Sequence, residues 1–130
     1  VKFPKFSYPH NIKGKFNQGK GCYWGNANVD MSADVTVGND CLISDNVRIF
    51  THRHTFNGEP INTEGGNLEC IPLEIGDSVG IGYGALILPQ VERIGSHSAI
   101  GAGSVLTKNV GTKEIWAGNP ARKIKDREVT

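Results

Sequence analysis

Aliphatic residues recur every six positions between Ile75 and Val110. Ile75-Gly76-Asp77-Ser78-Val79-Gly80 is followed by Ile81-Gly82-Tyr83-Gly84-Ala85-Leu86 and by a unit opened by Ile87. Then come Ile94-Gly95-Ser96-His97-Ser98-Ala99 and Ile100-Gly101-Ala102-Gly103-Ser104-Val105, with Leu106 opening one more. Each unit leads with an aliphatic residue, usually followed by Gly, and carries a small or β-branched residue four places on (Val79, Ala85, Ser98, Ser104). A helical period of 3.6 drifts out of phase with six, and simple strand alternation does not place Gly at a fixed point. The pattern predicts a parallel β-helix in which each hexad is one short strand and a corner. The lead side chain points into a narrow prism, the position-four residue fits beside it, and Gly eases the bend.

A second run in the same period covers Met31-Ser-Ala-Asp-Val35-Thr, Val37-Gly-Asn-Asp-Cys41-Leu and Ile43-Ser-Asp-Asn-Val47-Arg, with Ile49 leading the next unit. Asp and Asn fill its outward corners, where their side chains can satisfy turn backbone. Three hexads close one triangular coil of about eighteen residues, and coils stack about 4.8 Å apart. The two runs therefore predict roughly four to five coils, a prism on the order of 20–25 Å long. So short a stack leaves apolar end faces, and self-association is expected.

These phases divide the chain as follows. Residues 1–24, aromatic and lysine-containing without a clear period, are expected to cap the first coil, with His10 on the surface. Residues 25–50 form the first coils. Residues 51–74 break the repeat and form a loop extruded from one corner, the kind of segment that tends to carry function. Residues 75–110 form the later coils, with a slip between Ile87 and Ile94 that predicts a bulge around Pro89–Arg93. Residues 111–130 close the other end: Gly118-Asn-Pro120 marks a turn, and Ala121–Glu128 reads as a short charged helix.

Composition narrows the possibilities. Seventeen glycines suit a coil that turns a corner every few residues and follow no collagen triplet. A formal charge of +1 gives no reason to expect nucleic acid. Cys22, Cys41 and Cys70 are odd in number and lack metal-type spacing, which favours a reducing compartment. No apolar run approaches membrane-spanning length, and the first residues lack a signal-peptide core. A soluble, cytoplasmic protein with no membrane partner is expected.

Ile100-Gly-Ala-Gly-Ser-Val-Leu-Thr-Lys108 and Ala117-Gly-Asn-Pro-Ala-Arg122-Lys-Ile-Lys125, joined to a His-bearing loop upstream, resemble the hexapeptide-repeat acyltransferases. The similarity runs from about Gly25 to Lys125 and is greatest to the galactoside, maltose, polysaccharide and xenobiotic O-acetyltransferase branch. That resemblance implies an all-β, left-handed parallel β-helix, a homotrimer with active sites at subunit interfaces, and acetyl-coenzyme A as cosubstrate. The hand comes from the resemblance alone, because most parallel crossovers are right-handed.

Acyl transfer from a thioester to a hydroxyl needs a base for the hydroxyl proton and a donor for the developing oxyanion. His52, in Thr51-His52-Arg53-His54, matches the family's catalytic histidine by position. The resemblance assigns it the general base, with His54 orienting it or touching the acceptor. It also carries the backbone N–H of Tyr83 to the thioester and the backbone of Ala102 and Thr107 to the pantetheine arm. Lys108, Arg122 and Lys125 fall at the coenzyme's phosphates, where charged donors bind well. Asn26, with Asn28, lies on the acceptor side, where Tyr23 and Trp24 are either sugar-stacking or capping residues. Gly80 departs from a position where the family often has Trp.

Two other readings of the histidines stand beside this one. A His-x-His pair can bind metal, but zinc needs three or four ligands and the sequence shows no clear third, so no metal is expected. His97 more simply occupies an outward corner than joins a hydratase-type metal site of the carbonic-anhydrase kind. A β-helix that is only a scaffold or binding module would leave both histidines on a solvated loop.

Overall fold

A computed structural model describes residues 1–57, 59–61 and 67–128. They form a parallel β-solenoid of five coils and three faces. The first coil contains β1 (Lys5–Ser7), β2 (Phe16–Gln18) and β3 (Tyr23–Trp24). The second contains β4 (Asn28–Asp30), β5 (Val35–Val37) and β6 (Leu42–Ile43). In the third, β7 (Arg48–Ile49) is followed by an extruded ribbon of β8 (His52–His54) and β9 (Leu68–Cys70), then by β10 (Leu73–Ile75) and β11 (Gly80–Ile81). The fourth holds β12 (Leu86–Ile87), β13 (Arg93–Ile94) and β14 (Ala99–Ile100). The fifth holds β15 (Val105–Leu106), a bridge residue at Val110 and β16 (Glu114–Gly118), and β17 (Ala121–Asp126) ends the described chain. Among the described residues there is no helix.

Lead residues stack in register, one column per face. On the first face Phe6, Val29, Ile49, Ile87 and Leu106 are successive partners. On the third, Trp24, Ile43, Ile81, Ile100 and Trp116 form the column, so a tryptophan stands at each end. Trp24 is fully buried and donates its indole N–H to Gln18 Oε1 at 2.8 Å. That makes it a capping residue, not a sugar platform. The position-four residues Cys41, Val47, Val79 and Ala85 are buried as expected.

Glycine has two distinct jobs. Three places after the leads Val37, Ile43, Ile75, Ile94 and Ile81 the corner is turned with positive φ: Asp40 at 59°, Asn46 at 62°, Ser78 at 52°, His97 at 63° and Gly84 at 71°. The glycine directly after the lead answers to stacking instead. A Cβ on Gly82 would stand 2.6 Å from the Ala102 nitrogen in the next coil. Corner polar groups likewise serve the neighbouring coil: Asp45 accepts from the Asn26 amide at 2.6 Å, and Asp77 from that of Asn39 at 2.7 Å.

Three expectations change. Residues 1–24 cap the prism by forming its first coil, although their strands lie outside the hexad spacing. The slip before Ile94 is absorbed by a turn at Pro89–Gln90, with Val91 buried behind it. The charged segment Ala121–Glu128 is not a helix: β17 pairs antiparallel with β16. The last coil otherwise leaves β16 as an open edge, and pairing that edge outweighs the local charge pattern. Lys123 secures the hairpin with ion pairs to Glu114 and Asp126 at 3.4 and 2.8 Å.

No atom lies within 4 Å of the place a Gly80 Cβ would take. Gly80→Ala is expected to stabilise the protein by about 0.5–1 kcal/mol, and Gly82→Ala to destabilise it by about 1–3 kcal/mol through overpacking. Denaturant unfolding of the two variants checks this, and equal shifts would contradict the two roles.

Candidate active site

The ribbon leaves the prism at the corner between the first and second faces, and Thr51 fixes its root. This residue is fully buried; its amide donates to Asp30 Oδ2 at 3.0 Å and its hydroxyl to the Asp30 carbonyl at 2.7 Å. The same hydroxyl accepts from the Ala33 amide at 3.0 Å, and the Thr51 carbonyl accepts from Ile71 at 2.8 Å. The extruded segment therefore starts from a rigid point in the second and third coils. Beyond it β8 and β9 pair antiparallel, His52 opposite Cys70 and His54 opposite Leu68, and Arg53 bonds both carboxylate oxygens of Glu69. Residues 58 and 62–66 of the expected loop lie outside the described residues.

Asp30 sits beneath His52 and is 2% exposed. Its Oδ1 accepts from the amide and hydroxyl of Ser32 at 3.0 and 2.6 Å. Its Oδ2 accepts from Thr51 and lies 2.5 Å from His52 Nδ1. Burial alone raises the carboxyl's pKa, but hydrogen bonds from Ser32, Thr51 and His52, and the charge of the His52 ring, outweigh it and hold the pKa below the usual carboxylate value. An ionised carboxylate only accepts, so His52 Nδ1 must carry the proton and Nε2 the free lone pair. The half-buried ring is thus oriented through Nδ1, and Nε2 has no hydrogen-bond partner among the described residues.

His54 joins it, as the two-residue spacing leads one to expect: the ring centroids are 5.5 Å apart. His10, expected only as a surface residue, is exposed but contacts both, at 4.9 Å from His52 and 5.6 Å from His54. One ring nitrogen from each of the three lies within 4.8 Å of the others. The third imidazole that the sequence did not reveal is therefore His10. It arrives because Ser7 pairs with Asp30, so the chain leaving β1 passes over the carboxylate's histidine.

The other sequence-derived residues fall into two groups. Asn26, Tyr83 and Ala102 line the corner between the third and first faces, after the first, third and fourth coils, with Asn46 after the second. There Asn46 N–H donates to the Asn26 carbonyl at 2.7 Å, and Asn46 Nδ2 to the Tyr83 hydroxyl at 2.8 Å. The Tyr83 amide makes no hydrogen bond among the described residues. Thr107 and Lys108 lie instead on the corner that carries His52, two coils further on. Within one chain, the width of the first face separates Tyr83 from His52.

Arg122 and Lys125 are three residues apart, a spacing that normally puts strand side chains on opposite faces. A bulge between Ile115 and Trp116 reverses this: Arg122 pairs with Ala117 and Lys125 with Ile115, so both basic residues share one face. Lys123 faces the other way with its acidic partners. Lys108, Arg122 and Lys125 are exposed and form no ion pair among the described residues. Two residues of the site were missed in the sequence, Asp30 and His10. Counting back one coil from Ile49 to Val29 exposes the first, as an acidic residue directly after an inward position; nothing local marks the second.

No family model matches the sequence. The chain is 35% identical over 126 residues to the galactoside O-acetyltransferase of Escherichia coli (strain K12), covering 93% of this chain and 57% of that protein. A solved galactoside acetyltransferase in complex with coenzyme A superposes with a TM-score of 0.78 at 30% identity, over 96% of this chain and 60% of the other. A maltose O-acetyltransferase from Clostridium difficile 630 gives 0.70 at 29% identity, over 95% and 71%. The chain spans about half the length of the curated relatives it matches.

Because Asp30 has a lowered pKa when folded, its stabilisation is complete above the unfolded value of about 3.9 and is lost as pH falls through the folded one. Asp30→Asn is expected to cost about 2 kcal/mol or more at pH 7 through lost charge-assisted hydrogen bonds, with the gap to the parent narrowing at about pH 3. Urea unfolding at both pH values tests this; a gap independent of pH would remove the carboxylate from this role.

Proposed function

The chain belongs to the hexapeptide-repeat acyltransferase family, and we propose that it transfers an acetyl group from acetyl-coenzyme A to a hydroxyl of a sugar or small hydroxylated molecule. The observation that carries this reading is His52, held by a buried carboxylate through one nitrogen and left basic at the other. In the proposed reaction Nε2 takes the acceptor's hydroxyl proton as its oxygen attacks the thioester carbonyl. Asp30 stabilises the imidazolium that forms, as a carboxylate does for a catalytic histidine elsewhere. The tetrahedral intermediate places negative charge on the former carbonyl oxygen, and the unused amide of Tyr83 is the donor assigned to it. Collapse breaks the carbon–sulfur bond, and the departing thiolate recovers the proton from His52. The acetyl ester and free coenzyme A are the products.

On the donor side the backbone of Ala102 and Thr107 is assigned to the pantetheine arm, and Lys108, Arg122 and Lys125 to the phosphates. That they form no ion pair among the described residues supports that assignment, since an anion then displaces no partner seen there. Asn26 is assigned to the acceptor, with His54 beside the base. The separation of the two corners supports a homotrimer in which His52 with Thr107 and Lys108 on one copy, and Tyr83 with Ala102 on its neighbour, complete one cleft. Three free cysteines support a reducing, cytoplasmic setting.

His52→Ala is expected to lower turnover by about 10² or more and to leave coenzyme binding nearly intact. Lys108→Ala should weaken donor binding with much less effect on the saturated rate. Both are read by free-thiol release from acetyl-coenzyme A across a panel of sugars, amines and xenobiotic alcohols. Equal rates for parent and His52→Ala would remove the base, and a flat response across the panel would favour a non-catalytic scaffold.

A further inference from the structure

We infer that His10, His52 and His54 form a binding site for a zinc-class divalent cation, and that filling it takes the His52 base out of use. The three rings meet edge to face in every pair, with interplanar angles of 82°, 69° and 87°, and do not stack on one another. One nitrogen from each lies within 4.8 Å of the other two. A tetrahedral ion about 2.0–2.1 Å from each nitrogen needs those nitrogens about 3.4 Å apart. That contraction falls on His10 and His54, both exposed, while His52 stays where Asp30 holds it.

The donor set points to the ligand's chemistry. Three neutral imidazoles suit zinc, nickel, cobalt or copper and are poor ligands for magnesium or calcium. His52 is already arranged as a metal-binding histidine is elsewhere: its Nδ1–H goes to a carboxylate, which fixes the ring and makes the far nitrogen a better donor. The site is also tied together through the fold. His10 comes from the first coil, Asp30 from the second, and His52 and His54 from the ribbon of the third. A bound ion therefore joins the N-terminal turn to the extruded segment.

The same Nε2 lone pair cannot bind a cation and accept a hydroxyl proton. A filled site should inhibit acetyl transfer, and this second half of the inference rests on the acyl-transfer reading above; the binding itself does not. The test is titration of chelator-stripped protein with Co²⁺, followed by visible absorption, and with Zn²⁺ by calorimetry. One ion per chain is expected, and His10→Ala and His54→Ala should each weaken binding at least about tenfold. In parallel, Zn²⁺ should depress free-thiol release with a midpoint matching the calorimetric one. For His10→Ala, relative to its own metal-free rate, that midpoint should rise by the same factor.

Absence of one-to-one binding, or unchanged binding by His10→Ala, would overturn the site. Binding that leaves the rate unchanged or raises it would overturn the inhibitory role. If no form of the protein releases thiol with any acceptor, the transferase reading fails while the isotherms still decide the metal site.

Discussion

A carboxylate buried beneath a coil corner is costly unless its lone pairs are filled. Asp30 receives four donors, from the Ser32 amide and hydroxyl, the Thr51 amide and His52 Nδ1. Those bonds stabilise the folded corner and, at the same time, fix the His52 ring. Removing the carboxylate would loosen the ribbon's root and free the tautomer together. The solenoid makes the arrangement possible: a residue of the second coil lies directly under one of the third because the strands stack in register.

The stack also determines what one chain cannot do alone. A triangular prism places residues on three separate corners, and groups on different corners do not meet within one copy. His52 shares its corner with Thr107 and Lys108, while Asn26, Tyr83 and Ala102 share another. A cleft built from both needs two copies side by side. At the top of the prism, one bulged residue in β17 turns Arg122 and Lys125 to the same side and leaves Lys123 to hold the hairpin. A single irregularity in register thus separates the exposed cations from the one that holds the hairpin.

Much of this was legible in the sequence where the repeat is regular. Leads such as Ile43, Ile81 and Ile100 announce their column, and Cys41 and Ala85 announce the small inward position. The first coil was hidden because Phe6, Phe16 and Trp24 fill its inward positions with aromatics at uneven spacing. The final strand was hidden because Arg122 to Asp126 carries no strand alternation of its own; an open edge supplied by β16 decides its conformation. His52 and His54 were visible as a pair on an interrupting segment. Asp30 and His10 were not, since their place comes from coil stacking, which brings residues 22 and 42 positions away in the sequence to His52. Local pattern reports period and polarity, but a site assembled across coils appears only when the register is known.

The most direct measurement is the nitrogen NMR spectrum of ¹⁵N-histidine-labelled, metal-free protein at a pH where the His52 ring is neutral, with His52→Ala to identify its signals. A proton on Nδ1 and a bare Nε2 are predicted, and Asp30→Asn should remove that bias. A proton on Nε2 in the parent, or a parent ring exchanging freely between tautomers, would contradict the claim that the buried carboxylate prepares this histidine as a base.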